Sequence, residues 1–534
     1  MSAAGAPAAA ARTGAPRLPL DADGCYAALK ARDARFDGRF FVAVSSTGIY
    51  CRPVCGVRPP RQENCAFFAS AAAAEAGGFR PCLRCRPELA PGYAIIDAAA
   101  AIAQRAASLI EDGTMSALDE PALARRLGVT DRHLRRVFGA QFGVSPVQYA
   151  QTQRLLLAKR LLTDTRIPVT EVALASGFAS VRRFNALFKE RYRMTPSRLR
   201  GDPGAAAPGT RAPSALRFEL AYRPPYDWDG VLAFLAQRTV AGVEAVTGTA
   251  YRRVVRVPGP AGDSIGWIEV EHRPRRHTLR VSVAASLARV VPQVLARVKR
   301  LFDTDCRPDE VAAVLGELPA WRAGVRVPGA FDGFEMAVRA ILGQQVSVRA
   351  AHTLAGRVAR RFGDPVDTGI EGLDTAFPPA RRLADATPGD VAALGIVAQR
   401  ARALVGLAQA LATRRVVLEA GADVESTLAE LQSLPGIGAW TAQYLAMRAL
   451  AWPDAFPASD LGVLKALGAS GARDAQARSQ PWRPWRAYAV MLLWRSLPPA
   501  SGAATGRATG AATGGAKGGA KGGAKGGASP PAAA

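Results

Sequence analysis

The chain has 534 residues, 49% of them hydrophobic, and carries 69 Lys and Arg against 44 Asp and Glu, a formal net charge of +25. At about 150 residues per domain this predicts three or four domains with real apolar cores; no apolar run reaches the ~18 residues of a membrane span, which excludes an integral helical membrane protein. A surface this basic attracts polyanions, with nucleic acid the expected partner, and seven Cys, four of them clustered, point to a reducing cytoplasm and a metal site rather than a disulfide framework.

Residues 1–17, small and Pro-rich without a signal pattern, read as disordered. Residues 18–91 read as a small α+β domain holding Cys51-x3-Cys55 and Cys82-x2-Cys85 with 26 residues between the pairs. Each pair can wrap one side of an ion, and four thiolates make a closed tetrahedral zinc site. Cys25, Cys65 and Cys306 fit no ligand spacing and read as buried thiols. With ARDARFDGRFFVAVSSTGIYCRPVC and GFRPCLRCRP around it, this region resembles the amino-terminal methyl phosphotriester repair domain of the Ada family. The resemblance implies that Cys51, Cys55, Cys82 and Cys85 hold one Zn2+. It also implies that Cys51 accepts a methyl group from DNA, stoichiometrically, and that the lost negative charge strengthens DNA binding.

Residues 92–200 read as an all-α domain in which a helix, a Gly turn and a basic helix occur twice, at Gly128 and at Gly177. Leu123, Leu127, Leu134 and Val137 form the first apolar stripe. The second helices carry Arg132, His133, Arg135 and Arg136, and Arg182, Arg183, Asn185 and Lys189. This duplication, closing in FKERYRMTPSRLR, resembles the AraC-type DNA-binding domain, which implies that those residues meet successive major grooves of promoter DNA. RNA polymerase is the further partner expected. Residues 201–213, GDPGAAAPGTRAP, read as a linker.

Residues 214–299 alternate apolar and polar positions in 215–222, 251–259, 266–273 and 277–285, which predicts antiparallel strands, with helices over 231–239 and 291–302. Residues 300–497 read as all-α, with one or two helices over Phe334–Ala359 and another over Val397–Arg414. The stretch Leu434–Asp460 holds most of the chemistry. Leu434-Pro435-Gly436-Ile437-Gly438 is a turn between helices, whose two Gly residues permit positive φ and whose N–H groups can meet a phosphate. Trp440, Tyr444, Met447 and Ala451 then follow helical spacing, and Asp460 comes 20 residues after Trp440.

Together with AILGQQVSV (Ala340–Val348) and PWRPWRAYAVMLLW (Pro481–Trp494), this stretch resembles the helix–hairpin–helix DNA glycosylases, and most nearly the AlkA-like 3-methyladenine DNA glycosylase II family, over 216–497. The resemblance implies flipping of an alkylated purine such as 3-methyladenine or 7-methylguanine out of double-stranded DNA, with Asp460 stabilising the sugar cation and activating water. It also implies that Trp440, Tyr444 and Trp494 line the pocket by presenting aromatic faces to a cationic base, and that Gly436, Gly438, Gln344 and Gln345 contact DNA. Trp440 stands where strand-nicking relatives carry a Schiff-base Lys, and no Cys follows Cys306 for an iron–sulfur cluster, so a monofunctional glycosylase is expected. The expected wedge position at Gln344–Gln345 is polar, and Ser459 precedes the acid where a second acid is the alternative. No Pro-Cys-His signature appears, so O6-alkylguanine repair is not expected. Residues 498–534, with GGAK repeats placing Lys517, Lys521 and Lys525, read as a disordered tail. The expectation is a multidomain α+β, cytoplasmic, nucleoid-associated repair enzyme and regulator; the alternative is a transcription regulator whose glycosylase-like part only clamps DNA.

Overall fold

Burial of the predicted apolar stripes organises each region of the computed structural model, which describes residues 18–91, 101–112, 119–200, 215–259, 262–419 and 421–497. The expected disordered start, the 201–213 linker and the tail with its three GGAK lysines lie outside the described residues.

The first region is α+β. Helix α1 (Ala22–Ala31) starts at Asp21, whose side chain accepts from Gly24 N. Strands β1 (Phe41–Val44), β2 (Ile49–Cys51), β3 (Cys65–Phe68) and β4 (Arg80–Pro81) form a sheet in the order β3-β1-β2-β4, with helix α2 (Ala71–Ala76) between β3 and β4 in sequence. All four residues of β1 are buried, as suits a central strand. Strand β4 pairs parallel to β2, with Tyr50 opposite Pro81.

Among the described residues seven helices follow: α3 (Ala101–Glu111), α4 (Glu120–Arg126), α5 (Asp131–Phe142), α6 (Pro146–Asp164), α7 (Val169–Ala175), α8 (Val181–Tyr192) and α9 (Pro196–Arg200). Helices α5 and α8 start at capping hydroxyls, Thr130 to His133 N and Ser180 to Arg183 N. Each buries aromatics at i, i+4 spacing: Phe138 and Phe142 in α5, Phe184, Phe188 and Tyr192 in α8. Leu123, Leu127 and Leu134 are buried as expected; Val137 is half-buried.

Strands β5 (Ala215–Ala221), β6 (Glu244–Thr247), β7 (Ala250–Gly259), β8 (Gly262–Arg273) and β9 (Thr278–Ala284) form an antiparallel sheet in the order β5-β9-β8-β7-β6, flanked by α10 (Trp228–Ala236) and α11 (Val291–Leu301). The sequence pattern missed β6, a four-residue edge strand too short to show alternation. The remaining elements are α12 (Pro308–Leu315), α13 (Gly333–Leu342), α14 (Val348–Phe362), β10 (Asp364–Pro365), β11 (Thr375–Ala376), α15 (Ala380–Ala384), α16 (Pro388–Ala392), α17 (Ala398–Ala412), α18 (Val424–Gln432), α19 (Ala439–Arg448), α20 (Leu461–Leu467), α21 (Ala472–Arg478) and α22 (Arg486–Ser496). This part is therefore not purely helical: β10 and β11 pair, and Leu373 and Ala376 pack with Val254 of β7.

The described regions share one compact unit up to Ser496. A single apolar cluster runs from Leu155 and Phe184 in α6 and α8, through Val281 of the five-stranded sheet, to Ile341, Leu445 and Leu492. Arg105 of α3 donates to Gly421 O at 2.9 Å and pairs with Asp423, which itself caps α18, at 3.0 Å. Arg126 pairs with Glu419, and Arg300 with Asp112, each at 2.5 Å.

A carboxylate between two indoles and a four-cysteine cluster

Helix α18, the Leu434–Gly438 turn and α19 make a helical hairpin. Only Gly436 takes positive φ, +86°; Gly438 has φ −89° and serves as the N-terminal cap position of α19. Gln344 does not project outward: its Nε2 donates to Gly436 O at 3.0 Å and to Thr441 Oγ1 at 2.9 Å, while Arg400 donates to its carbonyl at 2.5 Å. Gln344 thus ties the α13–α14 loop to the hairpin. Gln345 is exposed, in left-handed backbone at φ 52°.

Asp460 lies past the end of α19, at the N-cap of α20. Its Oδ1 accepts from Val463 N at 3.0 Å and from Trp494 Nε1 at 2.8 Å; its Oδ2 accepts from Trp440 Nε1 at 2.8 Å. The carboxylate thus caps α20 while accepting two indole N–H groups, and among the described residues it is in no ion pair. Both tryptophans meet this carboxylate through their N–H edges. Gly462 permits this approach, because a Cβ there would lie 2.9 Å from Trp494 Cδ1 and 3.1 Å from Asp460 Oδ1.

Around the carboxylate, Trp440 stacks on Tyr444 (centroids 5.4 Å apart, planes at 14°), and Trp494 stacks on Phe234 of α10 (6.3 Å, 11°). Arg448, buried, donates to Tyr444 Oη at 2.8 Å and lies 4.8 Å from the Phe234 centroid; Arg238 lies 3.8 Å from it. Arg448 also lies 5.6 Å from the Tyr444 centroid, so guanidinium groups already lie against part of the aromatic cluster. Burial pulls the Arg238 guanidinium down to about 10, and burial with the nearby Arg339 and Arg238 pulls His352 to about 4, so that imidazole is neutral at physiological pH. Phe234, Arg238, Arg448 and Gly462 escaped the sequence reading; Phe234, Arg238 and Gly462 lie outside the quoted motifs, and Arg448, inside the Leu434–Asp460 stretch, carries no spacing that marks it. Of the motif residues, Met447 is core and Ala451 lies beyond the helix. Two cavities, of about 110 and 800 Å3, lie at the seam with α3 and α4 and include neither Asp460 nor its aromatic neighbours.

The second centre forms where parallel pairing of β2 and β4 sets Cys51 beside Cys82, with Cys82 N donating to Tyr50 O at 3.0 Å. One Sγ from each of Cys51, Cys55, Cys82 and Cys85 lies within 4.8 Å of the others. Four sulfurs converging from two short loops fit a tetrahedral thiolate site. Cys51, Cys55 and Cys82 are buried, while Cys85 is half-buried and its Sγ accepts from Arg52 N at 3.4 Å.

On the α5 and α8 helices, Arg132, Arg135, Arg136, Arg182, Arg183, Asn185 and Lys189 are exposed and His133 is half-buried. Arg135 pairs with Glu120 at 2.6 Å, and Arg136 lies 3.2 Å from His133 Nδ1. No described helix is long and apolar enough to cross a membrane.

Four family descriptions match in tandem: the metal binding domain of Ada over residues 24–88, a helix-turn-helix domain over 123–202, the AlkA N-terminal domain over 217–332, and the HhH-GPD superfamily of base excision DNA repair proteins over 338–483. The chain is 40% identical over 491 residues to a probable bifunctional transcriptional activator/DNA repair enzyme AlkA of Mycobacterium tuberculosis, covering 89% of this chain and 97% of that protein. It is 39% identical to DNA-3-methyladenine glycosylase 2 of Escherichia coli over 279 residues, 52% of this chain and 96% of the relative. It is 34% identical to the bifunctional transcriptional activator/DNA repair enzyme Ada of Escherichia coli over 182 residues, 34% of this chain and 49% of the relative.

Proposed function

The chain belongs to the family of bifunctional transcriptional activator/DNA repair enzymes of the AlkA type, and from that premise we propose that it excises alkylated purines such as 3-methyladenine and 7-methylguanine from double-stranded DNA with Asp460 as the catalytic carboxylate. The observation that carries this reading is the pair of indole N–H donors on one half-buried carboxylate. They fix its orientation. Oδ1 accepts two bonds and Oδ2 one, so Oδ2 has the greater remaining capacity to meet a flipped nucleotide.

As the C1′–N bond breaks, the leaving purine takes the electron pair and loses its positive charge, while positive charge moves to the sugar. A fixed carboxylate stabilises that charge. Water then adds to C1′ and gives its proton to Asp460. Trp440, Tyr444, Trp494 and Phe234 supply aromatic surface for the extruded base. Trp440 in place of a nucleophilic Lys supports base release without strand cleavage. Gln345, exposed in left-handed backbone, is the residue of this loop that would contact DNA.

At the cluster, bound Zn2+ would keep the sulfurs ionised at neutral pH. The Cys51 thiolate attacks the methyl carbon of a DNA methyl phosphotriester; an S–CH3 bond forms, the C–O bond breaks, and the phosphate leaves as the diester anion. The cluster loses one negative charge, and attraction to DNA rises. The exposed faces of α5 and α8 then bind promoter DNA, where RNA polymerase is the partner, in the cytoplasm.

Release of bases from alkylated DNA, scored as abasic sites, by wild type and Asp460→Asn tests the reading. Loss of at least ~100-fold is expected for removal of one preorganised charge. Equal and undetectable release by both would leave a DNA clamp.

A further inference from the structure

A residue beyond the helix-turn-helix region bonds to the backbone of the first region near the four-cysteine loops. Arg223 follows β5 and is fully buried. Its Nε donates to Asp37 O at 3.0 Å, and its Nη1 donates to Asp305 O at 2.9 Å, just before α12. Arg326, itself buried, donates to Arg223 O at 2.7 Å and so fixes its backbone. Asp37 is 3% exposed and its carboxylate pairs with Arg52, Nε to Oδ1 at 2.8 Å with a second, shorter bond from Nη2. Arg52 in turn donates from Nη1 to Cys85 O at 3.1 Å and from its backbone N to Cys85 Sγ at 3.4 Å. Packing at the joint is tight: a Cβ at Gly38 would lie 2.1 Å from Pro91 O and 3.4 Å from Arg223 Nη2.

We propose that Arg223, a residue of the glycosylase half, is a positioning residue for the methyl-acceptor centre, acting through Asp37 and Arg52 on the loops that carry Cys51 and Cys85. The inference rests on the reading of the cluster as a zinc centre. A guanidinium is a rigid planar fork, so its carbonyl acceptors at Asp37, Asp305 and Cys306 are held at fixed separations and angles. Asp37 therefore cannot shift relative to Asp305 without leaving a buried charge poorly bonded, which is expensive. With Asp37 fixed, the Arg52 guanidinium is fixed, and Arg52 is the residue next to Cys51. Groups that orient metal ligands from behind govern metal affinity as well as geometry. Arg52 also places a buried positive charge beside a cluster that carries −2 when four thiolates hold Zn2+.

Full-length Arg223→Gln, Asp37→Asn, Arg52→Gln and the Arg52→Gln/Arg223→Gln double variant test this by zinc release to a colorimetric chelator and by the thiolate-to-metal charge-transfer band of the cobalt-substituted protein. Each single change is expected to speed zinc release about tenfold and to shift the cobalt band. The double variant is expected to release zinc no faster than Arg52→Gln alone, because the residues act along one path. Wild-type release from Arg223→Gln with an unchanged cobalt band, or multiplied effects in the double variant, overturns the proposal. Should Arg223→Gln fail to fold, Arg223→Lys keeps the charge and one bond; faster release supports the proposal and an unchanged rate overturns it. A wild-type chain that binds no zinc sinks the zinc reading and this inference together, whereas zinc-loaded wild type beside a silent Arg223→Gln removes the inference alone.

Discussion

Trp440 and Trp494, one at the start of α19 and the other near the end of α22, donate their indole N–H groups to opposite oxygens of the Asp460 carboxylate, each at 2.8 Å. A residue expected to offer a ring face thus also acts as a hydrogen-bond donor, and the two roles separate by mutation. Trp440→Phe and Trp494→Phe keep an aromatic face and lose the donor. A hydrogen bond to a charged group contributes about 1.5–3 kcal/mol, so each variant should lose roughly 10–100-fold in the rate of base release. Single-turnover rates on methylated DNA check this; a loss below about twofold would make the rings simple walls.

Gly462→Ala should damage the same site without touching its chemistry. The added methyl would press on Trp494 Cδ1 at 2.9 Å and Asp460 Oδ1 at 3.1 Å. Ala is otherwise at home at this helical position in α20, so thermal stability should change little. Base release should fall by at least about tenfold, the scale of one lost charged hydrogen bond. Wild-type release would mean that the indole and carboxylate tolerate separation.

Cys51→Ser replaces the sulfur that is expected to take the methyl group. Incubated with methyl phosphotriester DNA, wild type should gain the mass of one methyl group on the peptide holding Cys51, and Cys51→Ser none. A methyl group recovered on Cys85, the most exposed of the four, would reassign the acceptor. Removing zinc by prolonged chelation under reducing conditions should abolish methyl acceptance in wild type, because the thiolate form is then lost at neutral pH.

Glu75→Gln should change how stability responds to pH. Glu75 is buried between the first region and α6, accepting from Tyr50 Oη at 3.1 Å and Thr152 Oγ1 at 3.0 Å. Burial raises its carboxyl to about 7 from the usual 4.5. The unfolded chain ionises first as pH rises, so this group lowers stability progressively between the two values and by its full amount above the higher one. A neutral Gln has no such term. The stability gap between Glu75→Gln and wild type, from denaturant midpoints, should therefore widen in favour of Gln by roughly 1–3 kcal/mol from pH 5 to pH 8. A gap independent of pH would show that Glu75 does not titrate in this range.

Short-range order was legible in the chain itself. The Cys pairs, the two Gly turns with their basic helices, and the PGIG hairpin with its following Asp are motifs whose chemistry depends on spacing along the backbone, and spacing is what a sequence records. Period-two alternation likewise found four of the five strands of the large sheet, while β6 was too short to carry a period. The fold decided which atoms face which. Gln344 and Gln345 are neighbours with the same side chain, yet one is locked to Gly436 and Thr441 and the other is exposed. Phe234, Arg238 and Gly462 joined the Asp460 site from outside its motifs, and Arg223 reached Asp37 across 186 positions of chain. Such contacts follow from how helices and sheets pack over a shared core, where an apolar stripe fixes only that a face is buried. Its partner is chosen by shape and by the bonding of every buried polar group at once, and no window along the sequence contains that information.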